Sequence, residues 1–259
     1  MSKPIIYHVP YELLTAKEIE GEGYKKFIVP VYLDLYNNGN NDRECRSTLF
    51  WLLTEGCGFE SPSGTYGQEI YKQLKEAVSF LQQKNHIGDI VDCKTGEVID
   101  IMTAKPRDIL CFDLKNFCTG PMTNPVLISH DDYTKIKNID YSERGTMFWK
   151  TLVMYMYVSS CLGYNPTAKT CKQSYWMFTG EKVWEKLGKG FTRNTVYTLM
   201  EILKEYELID YATVKTPRCI GKATILTMGE NQDEIAERME QAIDLAKEQY
   251  LAYCVNRSA

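Results

Sequence analysis

The chain has 259 residues, 30 Lys+Arg against 34 Asp+Glu, a formal net charge of −4, and 44% apolar and 25% charged content. That length points to one large or two ordinary domains able to bury a core, and that composition excludes a disordered or fibrous chain. No apolar run reaches the roughly 18 residues of a membrane span, because the most apolar stretch, Phe148 to Leu162, is broken by Lys150, Ser159 and Ser160.

The first predicted helix is Phe27 to Tyr36, with Pro30 near its start, where a missing N–H is tolerated. Ser47 to Gly56 follows as a compact second helix. A loop from Gly58 to Tyr66 leads into a third, Gly67 to Gln83, whose Ile70, Leu74, Ala77, Val78 and Leu81 share one face. Ile87 to Val91, the turn Lys94-Thr-Gly-Glu97 and Val98 to Met102 read as a hairpin, with Asp108 to Leu114 as a further strand. Lys115 to Ile139, with Gly120-Pro121, Asn124-Pro125 and His130-Asp131-Asp132, has the composition of a boundary.

The scheme then repeats. Ser142 to Leu162 is a first helix, with Met147, Phe148, Leu152, Tyr155, Met156 and Ser159 at helical spacing. Gly163 to Lys172 is a polar loop, and Ser174 to Phe178 a short aromatic strand. Thr179 is placed to cap a helix through Glu181, Val183, Trp184 and Leu187, which stops at Gly188-Lys189-Gly190. Thr192 offers a second cap to Arg193–Tyr206, where Val196, Leu199, Met200 and Leu203 recur at i, i+3, i+4 and i+7. Ile209 to Val214 is a strand, Lys215 to Lys222 a basic, turn-rich tip, and Ala223 to Met228 the returning strand. Beyond Gly229, Asn231 and Glu234 resemble a capping box. The stripe Ile235, Met239, Ala242, Ile243, Ala246, Tyr250 and Tyr253 fits packing on its own domain, and equally docking to a second copy or another protein.

The expected fold is mostly α with small β-hairpin wings. It comprises an acidic N-terminal winged-helix domain over 1–114, a linker over 115–139, a basic C-terminal winged-helix domain over 140–229 and an amphipathic acidic helix over 230–259. Charge separates the parts: Asn165 to Lys222 holds ten basic and six acidic residues, net +4, whereas the segments before and after are each −4. In the first wing Asp89, Asp92, Glu97 and Asp100 outnumber Lys94 and would repel phosphate, so if one unit grips DNA it is the second. Opposite the apolar stripe, Thr192, Arg193, Asn194, Tyr197 and Thr198 suit base edges and phosphates. Lys182, Lys186 and Lys189 lie on the preceding helix and turn, where backbone phosphates would pass, and Lys215, Arg218 and Lys222 decorate the wing. Ordinary solvated charge is the alternative reading of all of them.

Nine cysteines, an odd number with no C-x-x-C spacing, indicate reduced and mostly buried thiols rather than a disulfide framework or zinc ribbon. Of three histidines, His130 with Asp131 and Asp132 is a candidate metal or acid/base cluster, but no second ligand group stands near it in sequence. P-loop, dinucleotide-binding, nucleophile-elbow and zincin motifs are absent, and Gly188 to Thr192 has the wrong spacing for a P-loop. The expectation is a non-enzyme without metal or cofactor. The start, Met-Ser-Lys-Pro-Ile-Ile-Tyr-His, lacks an apolar signal core, so a cytoplasmic protein is expected.

The string Phe191-Thr192-Arg193-Asn194-Thr195-Val196, followed by Leu203 and Glu207-Leu208-Ile209, resembles the recognition-helix pattern of many bacterial winged-helix proteins. Two such units of opposite charge are similar to the replication initiators of plasmids and phages, and more distantly to DnaD-type primosomal proteins. The resemblance implies double-stranded DNA as partner of the second unit. It implies a homodimer or other replication or regulatory proteins as partner of the first, in a bacterial or phage setting. A winged-helix transcriptional regulator and a protein-interaction scaffold remain the alternatives.

Overall fold

The computed structural model describes residues 5–15, 22–60, 62–114, 125–141, 147–168, 170–173, 176–178, 180–188, 190–214, 223–228 and 232–258. Helices predominate, and the sheets are small and antiparallel. The chain divides into two compact units: an N-terminal one, Tyr7–Pro125 with Lys137–Trp149, and a C-terminal one, Met1–Ile6, Val126–Ile136 and Lys150–Ala259.

Strand β1 (Ile6–Val9) and helix α1 (Tyr11–Thr15) lead into α2 (Lys25–Asn37). Every residue of α2 from Phe27 to Leu35 is buried, and all but Asp34 are apolar or aromatic, as a helix enclosed on all sides requires. The helix begins two residues before the predicted start, so Pro30 falls in its second turn rather than near its N-terminus. Strand β2 (Glu44–Ser47) has no predicted counterpart. Next, α3 (Leu49–Trp51) is capped by Thr48, whose hydroxyl accepts from the Trp51 N–H at 3.0 Å, and continues as one π-helical turn, Leu52–Gly56. Helix α4 (Gly64–Gln83) buries the predicted stripe Ile70, Leu74, Ala77, Val78 and Leu81, each large apolar side chain contributing about 1.5–3 kcal/mol. Strands β3 (Ile90–Asp92) and β4 (Leu110–Asp113) complete a sheet in the order β2-β4-β3.

The wing differs from its sequence reading. The Lys94–Glu97 turn forms, with Gly96 at φ +74° and its N–H donating to the Asp92 carbonyl at 2.8 Å. The returning strand Val98–Met102 does not: Val98 makes one isolated bridge to Val91, and Ile101–Thr103 coils into a 3-10 turn. Asp100 causes the change, because its carboxylate accepts from the Met102 N–H at 2.9 Å and starts a helical turn where the ladder would continue. The partner of β3 is β4, so the wing spans 93–109 and gains Lys105 and Arg107.

In the C-terminal unit, β5 (Val126–Ser129) and α5 (His130–Lys137) occupy part of the stretch read as a boundary. Its Gly-Pro and Asn-Pro signals lie at residues 120–125, mostly outside the described residues. Helix α6 (Phe148–Leu162) is followed by a minimal hairpin, β6 (Tyr164–Asn165) with β7 (Thr170–Cys171), where the composition suggests a loop. Then come β8 (Trp176–Phe178), α7 (Gly180–Leu187), α8 (Arg193–Glu205), β9 (Asp210–Val214) and β10 (Ala223–Thr227), with sheet order β8-β10-β9. Apart from the β6–β7 hairpin, both units therefore share one order of elements: helix, strand, short helix, long helix, strand, and a last strand inserted between the other two. That is the winged-helix arrangement.

Helix α9 (Gln232–Ser258) closes the described chain. Ile235, Met239, Ala242 and Ala246 are buried, and α9 packs on β9 and β10, so its first half covers its own domain. Further along, Leu245 and Leu251 are exposed. The side chains of Tyr250 and Tyr253, and residue Asn231 of the capping box, are outside the described residues.

Candidate nucleic-acid interface

The α7–turn–α8 segment orients the candidate surface. Gly188, at φ +89°, ends α7, and the Phe191 N–H donates to the Gly188 carbonyl at 3.0 Å, which closes the turn. Val183, Leu187, Phe191, Val196, Leu199, Met200 and Leu203 are all buried. This fixes the roll of α8 and puts Arg193, Asn194, Tyr197 and Thr198 on its exposed side.

The five α8-region candidates have different duties. Thr192 is a cap: its Oγ1 accepts from the Thr195 N–H at 3.4 Å and lies 2.9 Å from the Thr195 hydroxyl. Thr198 donates to the Asn194 carbonyl at 3.1 Å, which leaves its oxygen to accept. The Arg193 guanidinium lies over the Tyr197 ring, 5.9 Å from its centroid, an i,i+4 cation–π pair that limits its rotamers. Arg193, Asn194 and Tyr197 are thus exposed together on the N-terminal half of the helix.

The C-terminal half of α8 is committed elsewhere. The Tyr211 phenol donates to the Glu201 carboxylate, Lys204 pairs with Asp210, and the Lys204 ammonium stands 5.0 Å from the Tyr211 ring centroid. Burial and the adjacent Glu201 push the Tyr211 phenol well above its ordinary range. This network fastens β9 to the end of α8 and takes Lys204 out of the basic count.

Lys186 is exposed in the last turn of α7, near enough to Cys161 on α6 to oppose the rise that burial imposes on that thiol. Lys182 lies in α7, but its side chain is not described. Lys189, Lys215, Arg218 and Lys222 fall outside the described residues, and so does the Thr179 cap.

The string His130-Asp131-Asp132 forms the first turn of α5, not a loop. Ser129 caps that turn, its hydroxyl accepting from the Asp132 N–H at 3.0 Å. Asp132 in turn accepts from the buried Tyr155 hydroxyl at 2.8 Å, and burial together with this carboxylate pushes the Tyr155 phenol well up. His130 Nε2 stands 3.4 Å from the Thr134 hydroxyl. Asp132 therefore braces α5 against α6, and the described residues contain no group of three or more His, Cys, Asp or Glu arranged to hold a metal ion. Nor is any described helix long and apolar enough to cross a membrane. No protein-family model, curated protein or solved structure matches this chain.

Proposed function

We propose that this chain is a non-enzymatic, sequence-specific binder of double-stranded DNA that acts through its C-terminal winged helix. We assign it to replication initiation of a bacterial plasmid, phage or other mobile element. The observation that carries the reading is the face of α8: a buried apolar stripe directs Arg193, Asn194, Tyr197 and Thr198 outward together, at the N-terminal end of the second helix of a helix-turn-helix. In this reading α8 enters a major groove and the Arg193 fork or the Asn194 amide reads a base edge. The basic residues of the +4 segment neutralise phosphates, and the acidic unit recruits a second copy or other replication proteins. A transcriptional regulator would use the same surface on an operator.

Two measurements test the reading. If about five phosphates are neutralised, log K for duplex binding falls against log salt with a slope of roughly −4 to −5. No binding of mixed-sequence duplex even at low salt would favour a protein-interaction scaffold instead. On a site selected from a random duplex pool, Arg193→Ala should weaken binding by about 1–3 kcal/mol and relax the preference at one base position. Unchanged affinity removes Arg193 from recognition.

A further inference from the structure

The N-terminal unit carries a groove that the DNA reading does not use. It lies between the start of α4 and the 3-10 turn of the wing, and its volume of about 530 Å³ is in the range of small-molecule sites. Gln68, Tyr71, Lys72, Lys75, Met102 and Pro106 line it. Among the described residues the lining holds two lysines and no carboxylate, although the first 164 residues of the chain are net −4.

The groove is built rather than incidental. At Gly67 a Cβ would stand 2.8 Å from the Pro62 carbonyl oxygen, so glycine is what allows the preceding loop to close against α4 as one wall. Lys75 Nζ donates to the Met102 carbonyl at 3.0 Å, which ties wing to helix and fixes the ammonium with two further protons to give. Lys72, more exposed, is 3.8 Å from Glu76, beyond a direct hydrogen bond. The Arg107 guanidinium rests 5.7 Å from the Phe50 ring centroid, and it acts on the half-buried Tyr71 phenol against the rise that burial causes.

Cations thus stand beside an aromatic ring with methionine and proline next to it, a chemistry suited to a phosphate attached to a flat, weakly polar group. Glu69 and Glu76 on α4 and Asp100 in the wing add acidic charge near the groove, which opposes a long, densely charged duplex more than a single nucleotide. We propose that this groove binds a nucleotide, free or as one unit of a single strand, with its phosphate on Lys72 and Lys75 and its base against Tyr71 and Met102.

Calorimetric titration of the full chain with ATP, with a short oligo-dT strand and with inorganic phosphate tests this. Saturable binding of ATP or of the oligo-dT is expected, and the probe that binds more tightly identifies the source of the nucleotide. Lys72→Ala and Lys75→Ala should each weaken it about tenfold or more, and Arg193→Ala should leave it unchanged. Because Lys75 also ties the wing, Lys72→Glu at an exposed position keeps the test valid if Lys75→Ala unfolds the unit. The proposal is overturned if neither probe binds, if inorganic phosphate binds as tightly as ATP, or if Lys72→Glu has no effect. A loss that follows Arg193→Ala instead would also overturn it, and would place the ligand on the DNA surface.

Discussion

Replacing Phe191 by alanine should cost the C-terminal unit about 3–5 kcal/mol, the range for removing a fully buried aromatic ring. Phe191 is 0% exposed and occupies the turn between α7 and α8. It is held by its backbone bond to Gly188 and followed at once by the Thr192 cap. The cavity left by its ring would open beneath the segment that sets where α8 begins, and the turn has little other apolar side chain with which to collapse into it. Single domains are marginally stable, so a loss of this size should leave much of the unit unfolded at physiological temperature. Urea denaturation followed by circular dichroism would measure it, and a change below about 1 kcal/mol would show that the turn holds without its aromatic plug. On the proposed function, DNA binding should fall along with stability, because Arg193 and Asn194 immediately follow the displaced segment. Arg193→Ala should lose binding at unchanged stability, and this contrast separates seating of the helix from contact with a base.

Whether a feature is legible in the sequence depends on whether local or distant residues decide it. The stripe on α8, its Thr192 cap and the glycine stop on α7 are local, and they stand where periodicity and capping rules put them. The same holds for α4, whose buried face repeats every three to four residues. Strand β2 escapes a sequence reading because Glu44-Cys-Arg-Ser47 offers only four residues with a weak alternation, and only β4, far along the chain, makes it a strand. The first wing misleads for the opposite reason: its turn is a good one, and a single carboxylate, two residues into the expected returning strand, redirects the chain. The same misreading hides the groove on α4, since a hairpin ending at Met102 leaves Pro106, part of its lining, outside the wing. The pairing of Asp132 with Tyr155 joins residues 23 apart, and no sequence spacing announces it.

Stability of the N-terminal unit should fall as pH rises from about 4 to about 6, and Asp34→Asn should abolish most of that fall. Asp34 is 2% exposed on α2, with Oδ1 3.8 Å from Lys137 Nζ and Oδ2 without a hydrogen bond. Burial raises its carboxyl from 3.8 to about 6, Lys137 and Asn38 pull it back down, and Glu55 adds to the rise. In that window the folded state keeps a proton that the unfolded chain has released, so raising the pH favours unfolding. The cost is complete above about pH 6 and is on the order of 2–3 kcal/mol. The Asp34→Asn side chain carries no charge at any pH, so the variant should match the parent near pH 4 and exceed it by about 2 kcal/mol at about pH 7.5. Urea midpoints at the two pH values decide it, and a variant with the parent's pH dependence, or one weaker at the higher pH, would sink the assignment. Lys137→Ala should act in the opposite direction, because it leaves the buried carboxylate without its counter-charge. Gly56 accommodates the acid, a Cβ there being only 3.0 Å from Asp34 Cγ, and Lys137 opens the stretch Lys137–Trp149 that belongs to this unit. A buried acid that weakens the fold at neutral pH yet pairs with the first residue of that stretch is better explained as its anchor than as a source of stability.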